Sequence, residues 1–328
     1  STLMRSSAAS DVYKRQELTV NTVNFSTKKF SWNTTLTLSH NKNSVKALTG
    51  EAVQLYEARF GFNQNTHRIA VGEPLGQFYG YITEGLYQVD DFNYDASTQT
   101  YTLKDGVPYH GDKGQIRPGM WKFKNLTGDD NVIDENDKTV IGNAQPKFYG
   151  GLNNSFTYKG FDLSIFLTFS YGNEVLNATK LVTSKVGSLN YNALDVMNSS
   201  NRWMTINSDG QKVTDPGELA ALNAGKTVAA YHDAQQGDNY IHSWAVEDAS
   251  YLKLSDVTLG YTFPKNLIAR IGLKNLRLYA TGNNLLTWTK YSGFDPEVST
   301  MKSGLTPGVD FGAYPLSRSF IFGLNVAF

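Results

Sequence analysis

The last eleven residues, 318–328, constrain the fold more than any other stretch. Side chains alternate across a strand, so Phe320, Phe322, Leu324, Val326 and Phe328 share one face, and Ser319, Ile321, Gly323, Asn325 and Ala327 share the other. One face is wholly apolar and the other is mostly small or polar. A membrane-barrel strand reads this way when lipid lies on one side and a wet or plugged lumen on the other. The terminal strand of a soluble sandwich alternates equally well, and these residues alone leave both settings open.

Composition narrows the classes. Lys+Arg and Asp+Glu both total 30 among 328 residues, which excludes the basic field that a nucleic-acid partner requires. With 19 Tyr, 18 Phe and 29 Gly the chain is rich in strand and turn formers. Its mean hydropathy of −0.37 is compatible with a barrel, whose lumen face and loops are polar. The absence of Cys removes disulfides, thiol nucleophiles and Cys-zinc sites. No apolar run approaches the ~20 residues of a spanning helix, so any membrane crossing must be made by strands. Residues 1–16 lack a charged segment followed by an apolar one and are no secretion signal. They read as a non-native leader of adapter-derived read-through, ahead of a domain over 17–328.

From residue 17 the chain is a series of alternating runs. Leu18 and Val20 open a strand to Phe25, and after a turn at 26–29 Phe30, Trp32, Thr34, Leu36 and Leu38 alternate with polar residues. Weaker runs follow at 54–63 and 77–88. The clearest hairpin is 149–158, the two-residue turn Lys159-Gly160, then Phe161, Leu163, Ile165, Leu167 and Phe169 alternating with polar partners; Phe166 is the one large apolar exception. Runs at 251–263, 275–284 and the terminal strand make about nine. Short or modest joins (26–29, 64–76, 159–160, 264–274) alternate with longer ones (42–53, then the loops around 89–148, 172–250 and 285–317). Short turns on one side and long loops on the other are the mark of an outer-membrane barrel, and place the chain's end on the short-turn, periplasmic side. Within the second long loop, Asp215, Pro216, Glu218 and Gly225 predict a short capped helix. Nine strands in lipid would leave two unpaired edges, so a barrel must draw further strands from a longer chain.

Two runs carry a resemblance to a known family: Glu247-Asp-Ala-Ser-Tyr-Leu-Lys-Leu-Ser-Asp-Val-Thr-Leu-Gly-Tyr-Thr-Phe-Pro264 and Leu276-Arg-Leu-Tyr-Ala-Thr-Gly-Asn-Asn-Leu-Leu-Thr-Trp-Thr-Lys-Tyr-Ser-Gly-Phe-Asp-Pro-Glu297. Together with 132–146 and 159–166, they resemble the C-terminal part of the SusC/RagA family of TonB-linked outer-membrane transporters, in the family's order and over 17–328. The resemblance implies an all-β fold, an antiparallel transmembrane β-barrel of which about nine strands of a 22-stranded plugged barrel lie here. It further implies uptake of oligosaccharides, glycans or peptides across the outer membrane of Bacteroidetes-type bacteria, without enzymatic chemistry. The implied partners are a SusD-like lipoprotein lid, the TonB complex acting through a region outside this chain, outer-membrane lipid, and the barrel assembly machinery, which would read Phe328.

The remaining constellations are weaker. The acidic loop 125–137 suggests calcium held by Asp129, Asp134 and Asp137, because hard cations take several oxygens from a tight loop. Its spacing departs from an EF-hand by one step, with no Gly at the bend and no closing Glu, so a solvated acidic turn is the competing reading. Five scattered histidines show no zinc spacing. Trp203, Trp244 and Trp288 lie in or beside long loops and suit sugar stacking, against the default use of Trp as an interfacial girdle. Two other classes stay open: a secreted β-sandwich glycan-binding module and a soluble glycoside hydrolase. No carboxylate pair in the sequence marks the latter.

Overall fold

In a computed structural model, residues 10–57, 64–128, 130–184, 192–230, 240–300 and 303–328 are described. Their main sheet has seven antiparallel strands in sequence order: β1 (Ser10–Ser26), β2 (Phe30–Ala47), β3 (Phe148–Tyr158), β4 (Phe161–Tyr171), β5 (Tyr251–Thr262), β6 (Asn275–Thr289) and β7 (Ser319–Ala327). The Lys159-Gly160 hairpin forms as expected, both residues taking the positive φ (46° and 90°) that a type I′ turn requires.

Register sorts the side chains across the whole sheet, because residues directly opposite one another share a face. One line of pairs runs Phe25, Trp32, Phe156, Leu163, Leu259, Ala280, Phe322 through all seven strands. A second runs Val20, Leu36, Leu152, Leu167, Leu254, Leu286. The opposite face carries Asn21, Thr35, Asn153, Phe166, Asp256, Asn283, Ser319. Phe166, the apolar exception, lies over Gly151, where a Cβ would come within 2.8 Å of its ring. Aromatics gather at both ends of the apolar face. Phe30, Tyr158, Phe161 and Tyr261 are paired in line near the short turns. Phe148, Phe169, Tyr171 and Trp288 stand near the long connections, with the Phe148 and Tyr171 rings stacked at 4.9 Å.

The apolar face has no cover among the described residues: Leu259 is 50% exposed and Phe322 81%. The buried core lies elsewhere, in the long connections. These fold into a crown of short strands and helices at one end of the sheet, around clusters such as Tyr81, Trp121, Phe123 and Trp203, and Phe78, Leu176, Ile241 and Val309. A sandwich would instead bury its core against the sheet.

Three expectations change. The runs at 54–63 and 77–88 are not wall strands. Val53–Glu57 and Gln77–Gly80 join Asn65–Ala70 and Thr139–Asn143 in a separate four-stranded sheet of the crown; 58–63 lie outside the described residues. Short strands such as Gln77–Gly80, buried on both faces, cannot serve a wall with one apolar side. With those two removed, the connections sort more cleanly than the sequence suggested: 27–29, 159–160 and 263–274 at one end, 48–147, 172–250 and 290–318 at the other. Finally, β1 begins at Ser10, inside the segment set aside as a leader, because Gln16 opposite His40 and Lys14 opposite Lys42 continue the ladder through backbone bonds that do not depend on composition. Residues 1–9 lie outside the described residues.

Gly323 on β7 faces Tyr279 on β6, and a Cβ there would stand 2.0 Å from the ring. Gly323→Val is therefore expected to cost about 1–3 kcal/mol through overpacking, read as a lowered denaturation midpoint relative to the wild type.

Candidate functional site

On the polar face of the sheet, among the described residues, two charged centres link separate elements. Toward the short turns, Asp162 on β4 and Arg277 on β6 reach across β5 and meet in a two-pronged pair, Nε to Oδ1 at 3.0 Å and Nη2 to Oδ2 at 2.5 Å. Gly260 on the intervening strand makes the room; a Cβ there would lie 2.4 Å from Nη2. Toward the crown, Lys253 on β5 is 4% exposed and bonds Glu297 of the last long connection, with Asp295 at 3.8 Å. The Tyr251 hydroxyl donates to the same Glu297 at 2.5 Å, and Asn41 donates to the Tyr149 hydroxyl at 3.0 Å. A cleft of about 400 Å³ separates this connection from the wall, bounded by Tyr149, Ser170, Asn173, Tyr251, Glu297 and Ser299. Sequence reading passed over Lys253 because strict alternation puts it with Val257, Leu259 and Tyr261; only the register shift between Leu254 and Asp256 turns it to the polar face.

In the crown, several polar groups are buried among rings. His110 packs against Tyr87, Phe123 and Tyr240, and neither ring nitrogen has a hydrogen-bond partner among the described residues. His242 meets the Thr83 hydroxyl at 2.7 Å through Nδ1, and His67 lies 2.9 Å from the Pro307 carbonyl through Nε2. Burial disfavours the charged imidazole and pushes His110 and His67 down to about 4 and His242 to about 3, with Lys180 and His110 adding to the last.

The three candidate tryptophans occupy three environments. Trp203 is 1% exposed in the core, backed by Gly119, whose Cβ would lie 2.3 Å from the ring, so no sugar can reach it. Half-buried Trp244 lies 4.8 Å from Trp121 and carries the Lys180 ammonium 4.1 Å above its ring; that cation also pairs with Glu247 at 3.1 Å. Trp288 is exposed on the apolar face opposite Leu252, in the ring of aromatics near the crown. Large planar side chains bury readily in cores and edges, which is why position in a long loop did not distinguish these uses.

In the acidic loop Asp129 lies outside the described residues. Asp137 is buried and accepts from the N–H groups of Leu126, Thr127 and Asp134 and from the Thr127 hydroxyl; Asp134 caps the following turn through Asn136. Burial alone would raise the Asp137 carboxyl, and these donors outweigh it and hold it below its ordinary value. Its oxygens thus close a turn, and a cation would have to displace those donors. Among the described residues no group of three metal-ligating side chains is assembled. The helix expected after Asp215 forms over Pro216–Leu222, with Asp215 accepting from Gly217 and Glu218; Asn223 ends it and Gly225 follows at positive φ.

No family model matches the chain. It is 33% identical over 322 residues to the TonB-dependent receptor P3 of Formosa agariphila, an alignment covering 96% of this chain and 28% of that protein. To the TonB-dependent receptor SusC of Bacteroides thetaiotaomicron it is 26% identical over 325 residues, covering 95% and 26%. The chain belongs to the SusC/RagA family of TonB-dependent receptors. It spans little more than a quarter of the length of these curated relatives. Its fold is similar to that of the RagAB peptide transporter, with a TM-score of 0.66 at 18% identity over 98% of this chain and 30% of that one.

For this SusC/RagA-family chain the buried histidines set an acid limit. A neutral histidine whose folded value lies below 6.5 contributes stability that is intact above about pH 6.5 and drains as the pH falls toward 4, because the unfolded chain takes up the proton first. The crown is expected to melt at lower temperature at pH 4.5 than at pH 7, and His110→Leu to lessen that difference. Asp137→Ala is expected to cost about 1–3 kcal/mol by stranding buried donors, again read by thermal melting.

Proposed function

We propose that the chain forms part of the wall and outer loops of a TonB-dependent importer in the outer membrane of a Bacteroidetes-type bacterium. The observation that carries this reading is the seven-strand sorting of side chains, with an apolar face that no described residue covers and a polar face bearing charged pairs. The apolar face meets lipid and the polar face lines the passage. β4 spans 11 residues, roughly 34 Å at about 3.4 Å per residue, or about 26 Å tall at a tilt near 40°, close to the apolar band of such barrels. Its ends, Phe161 and Tyr171, belong to the two rings of aromatics, which then sit at the two water interfaces.

In lipid every backbone group must be bonded, so the free edges of β1 and β7 pair with strands supplied by the rest of a longer polypeptide, closing a plugged barrel. The crown faces outside, where a SusD-like lipoprotein lid covers it, and TonB acts through a region outside this chain. Phe328, 81% exposed on the apolar face, is the residue the assembly machinery reads. The cargo is an oligosaccharide, glycan or peptide. Relatives named as receptors and a structural neighbour named as a peptide transporter support import over the sandwich and hydrolase readings.

The test replaces residues on the two faces of the full-length protein. Ile165→Arg, near the middle of β4, is expected to cost roughly 2–4 kcal/mol and to lower the amount assembled in the outer membrane, whereas Ser164→Arg assembles normally. Normal assembly of both, and of Leu324→Arg, would contradict the lipid-facing assignment.

A further inference from the structure

The apolar parity of the wall does not stop at the aromatics near the crown. On β2 it runs Leu36, Leu38, His40, Lys42, with no register shift against β1 over this stretch. Ser39 faces Tyr149, so His40 stands level with Phe148, and Lys42 lies two residues, or about 7 Å, further along the strand. Lys290 follows Trp288 by the same two residues, just past the end of β6. Local bonds bring a third lysine to this level. The Lys147 N–H donates to the Tyr171 carbonyl at 2.9 Å, and His40 Nδ1 donates to the Lys147 carbonyl at 2.5 Å. The Lys147 stem lies across Gly172, where a Cβ would come within 2.8 Å of it. All three lysines are exposed, and none forms an ion pair with a described carboxylate.

The surface between them is hollowed. An open trough of about 540 Å³ is walled by Phe148, Phe169, Tyr171 and Trp288, with Lys290 on its lining. Beside it a notch of about 870 Å³ is lined by His40, Lys42, Lys147 and Gly172, and the two hollows share Tyr171, Asp248 and Ser250. Two carboxylates also line the notch, and both accept from backbone: Glu174 from the Asn143 N–H at 2.7 Å and Asp248 from the Ser250 N–H at 2.9 Å. Three ammoniums against two carboxylates leave the rim net positive.

We propose that this rim seats a phosphate-bearing glycolipid of the outer leaflet, with its phosphorylated headgroup against Lys42, Lys147 and Lys290 and an acyl chain in the aromatic trough. The proposal deepens the importer reading and rests on it, since that reading puts the apolar face in lipid and the crown outside. The trough opens onto the apolar face, so a chain enters it without leaving hydrocarbon. Lysine stems lie along apolar surface while their ammoniums reach headgroup depth, where clustered cations hold phosphate. A soluble protein partner could not reach the trough, whose floor lies at the depth of the aromatics.

The experiment places the full-length protein, extracted from its own outer membrane, in phosphatidylcholine nanodiscs. These carry a minor fraction of diphosphoryl lipid A with a photoreactive group on one chain, or of the same lipid stripped of its phosphates. Cross-linked peptides are mapped by mass spectrometry. The wild type is expected to cross-link through the peptides holding Phe148, Tyr171 and Trp288, several-fold more with the phosphorylated lipid. Combined Lys42→Gln, Lys147→Gln and Lys290→Gln are expected to remove that preference, whereas Lys28→Gln, Lys29→Gln and Lys265→Gln together, at the short-turn end, keep it. Trp288→Ala is expected to lower cross-linking of both lipids. Equal cross-linking of the two lipids by the wild type, a test that needs no variant, would overturn the proposal, as would labelling confined to other peptides. Loss of the preference in the short-turn variant would reduce the effect to general charge and overturn the rim site. Equal thermal stabilisation by inorganic phosphate in lipid-free detergent would mark a free-anion site and overturn the lipid assignment. A wild-type protein absent from the outer-membrane fraction would instead refute the importer reading itself.

Discussion

Backbone hydrogen bonding between neighbours in sequence order is the constraint on which the rest of this molecule depends. Each of the seven strands pairs with the next, and once the turn at Lys159-Gly160 and the tight 27–29 turn set the register, the period of two sends every second residue to the same side. A slip of one residue anywhere would move Leu163, Leu259 and Phe322 to the side now held by Asp162, Gly260 and Tyr279. The two faces therefore stand or fall together, and with them the proposed division between a side meeting lipid and a side meeting water.

The crown follows different rules. It is stabilised as a small globular protein is, by buried rings and by polar groups that find partners at short range, such as Asp137 with its four donors and Lys180 between Glu247 and Trp244. It grips the sheet through few points. Glu297 of the last long connection, bonded by both Lys253 and the Tyr251 hydroxyl of β5, is one of them.

The wall was largely legible in the sequence because alternation is local: the terminal strand, the 30–39 run and the hairpin over 149–169 each announced their faces without any distant contact. The short crown strands were not, since Gln77–Gly80 is buried through pairing with the distant Thr139–Asn143, Val53–Glu57 is a largely exposed edge strand, and a two- to six-residue run has no period to read. The same limit applied to sites. Trp203 and Trp288 look alike in sequence, and only the packing of Gly119 against one and Leu252 opposite the other separates a core residue from a rim residue. The cap at Asp215 was readable because all its donors lie within three residues.

The central claim is that the two faces of one sheet meet lipid and water respectively, and cysteine labelling measures it directly: these 328 residues hold no Cys, and any elsewhere in the full-length protein is replaced by Ser. Single substitutions Leu163→Cys, Leu259→Cys and Phe322→Cys, and Ser164→Cys, Thr258→Cys and Ile321→Cys on the other face, would be placed in the full-length protein in native outer membranes. Each is then challenged with a membrane-impermeant maleimide and with a lipid-soluble one. The account predicts that the first three react only with the lipid-soluble reagent and that the polar-face positions are the ones the impermeant reagent reaches. Equal labelling of both sets by the impermeant reagent would contradict it.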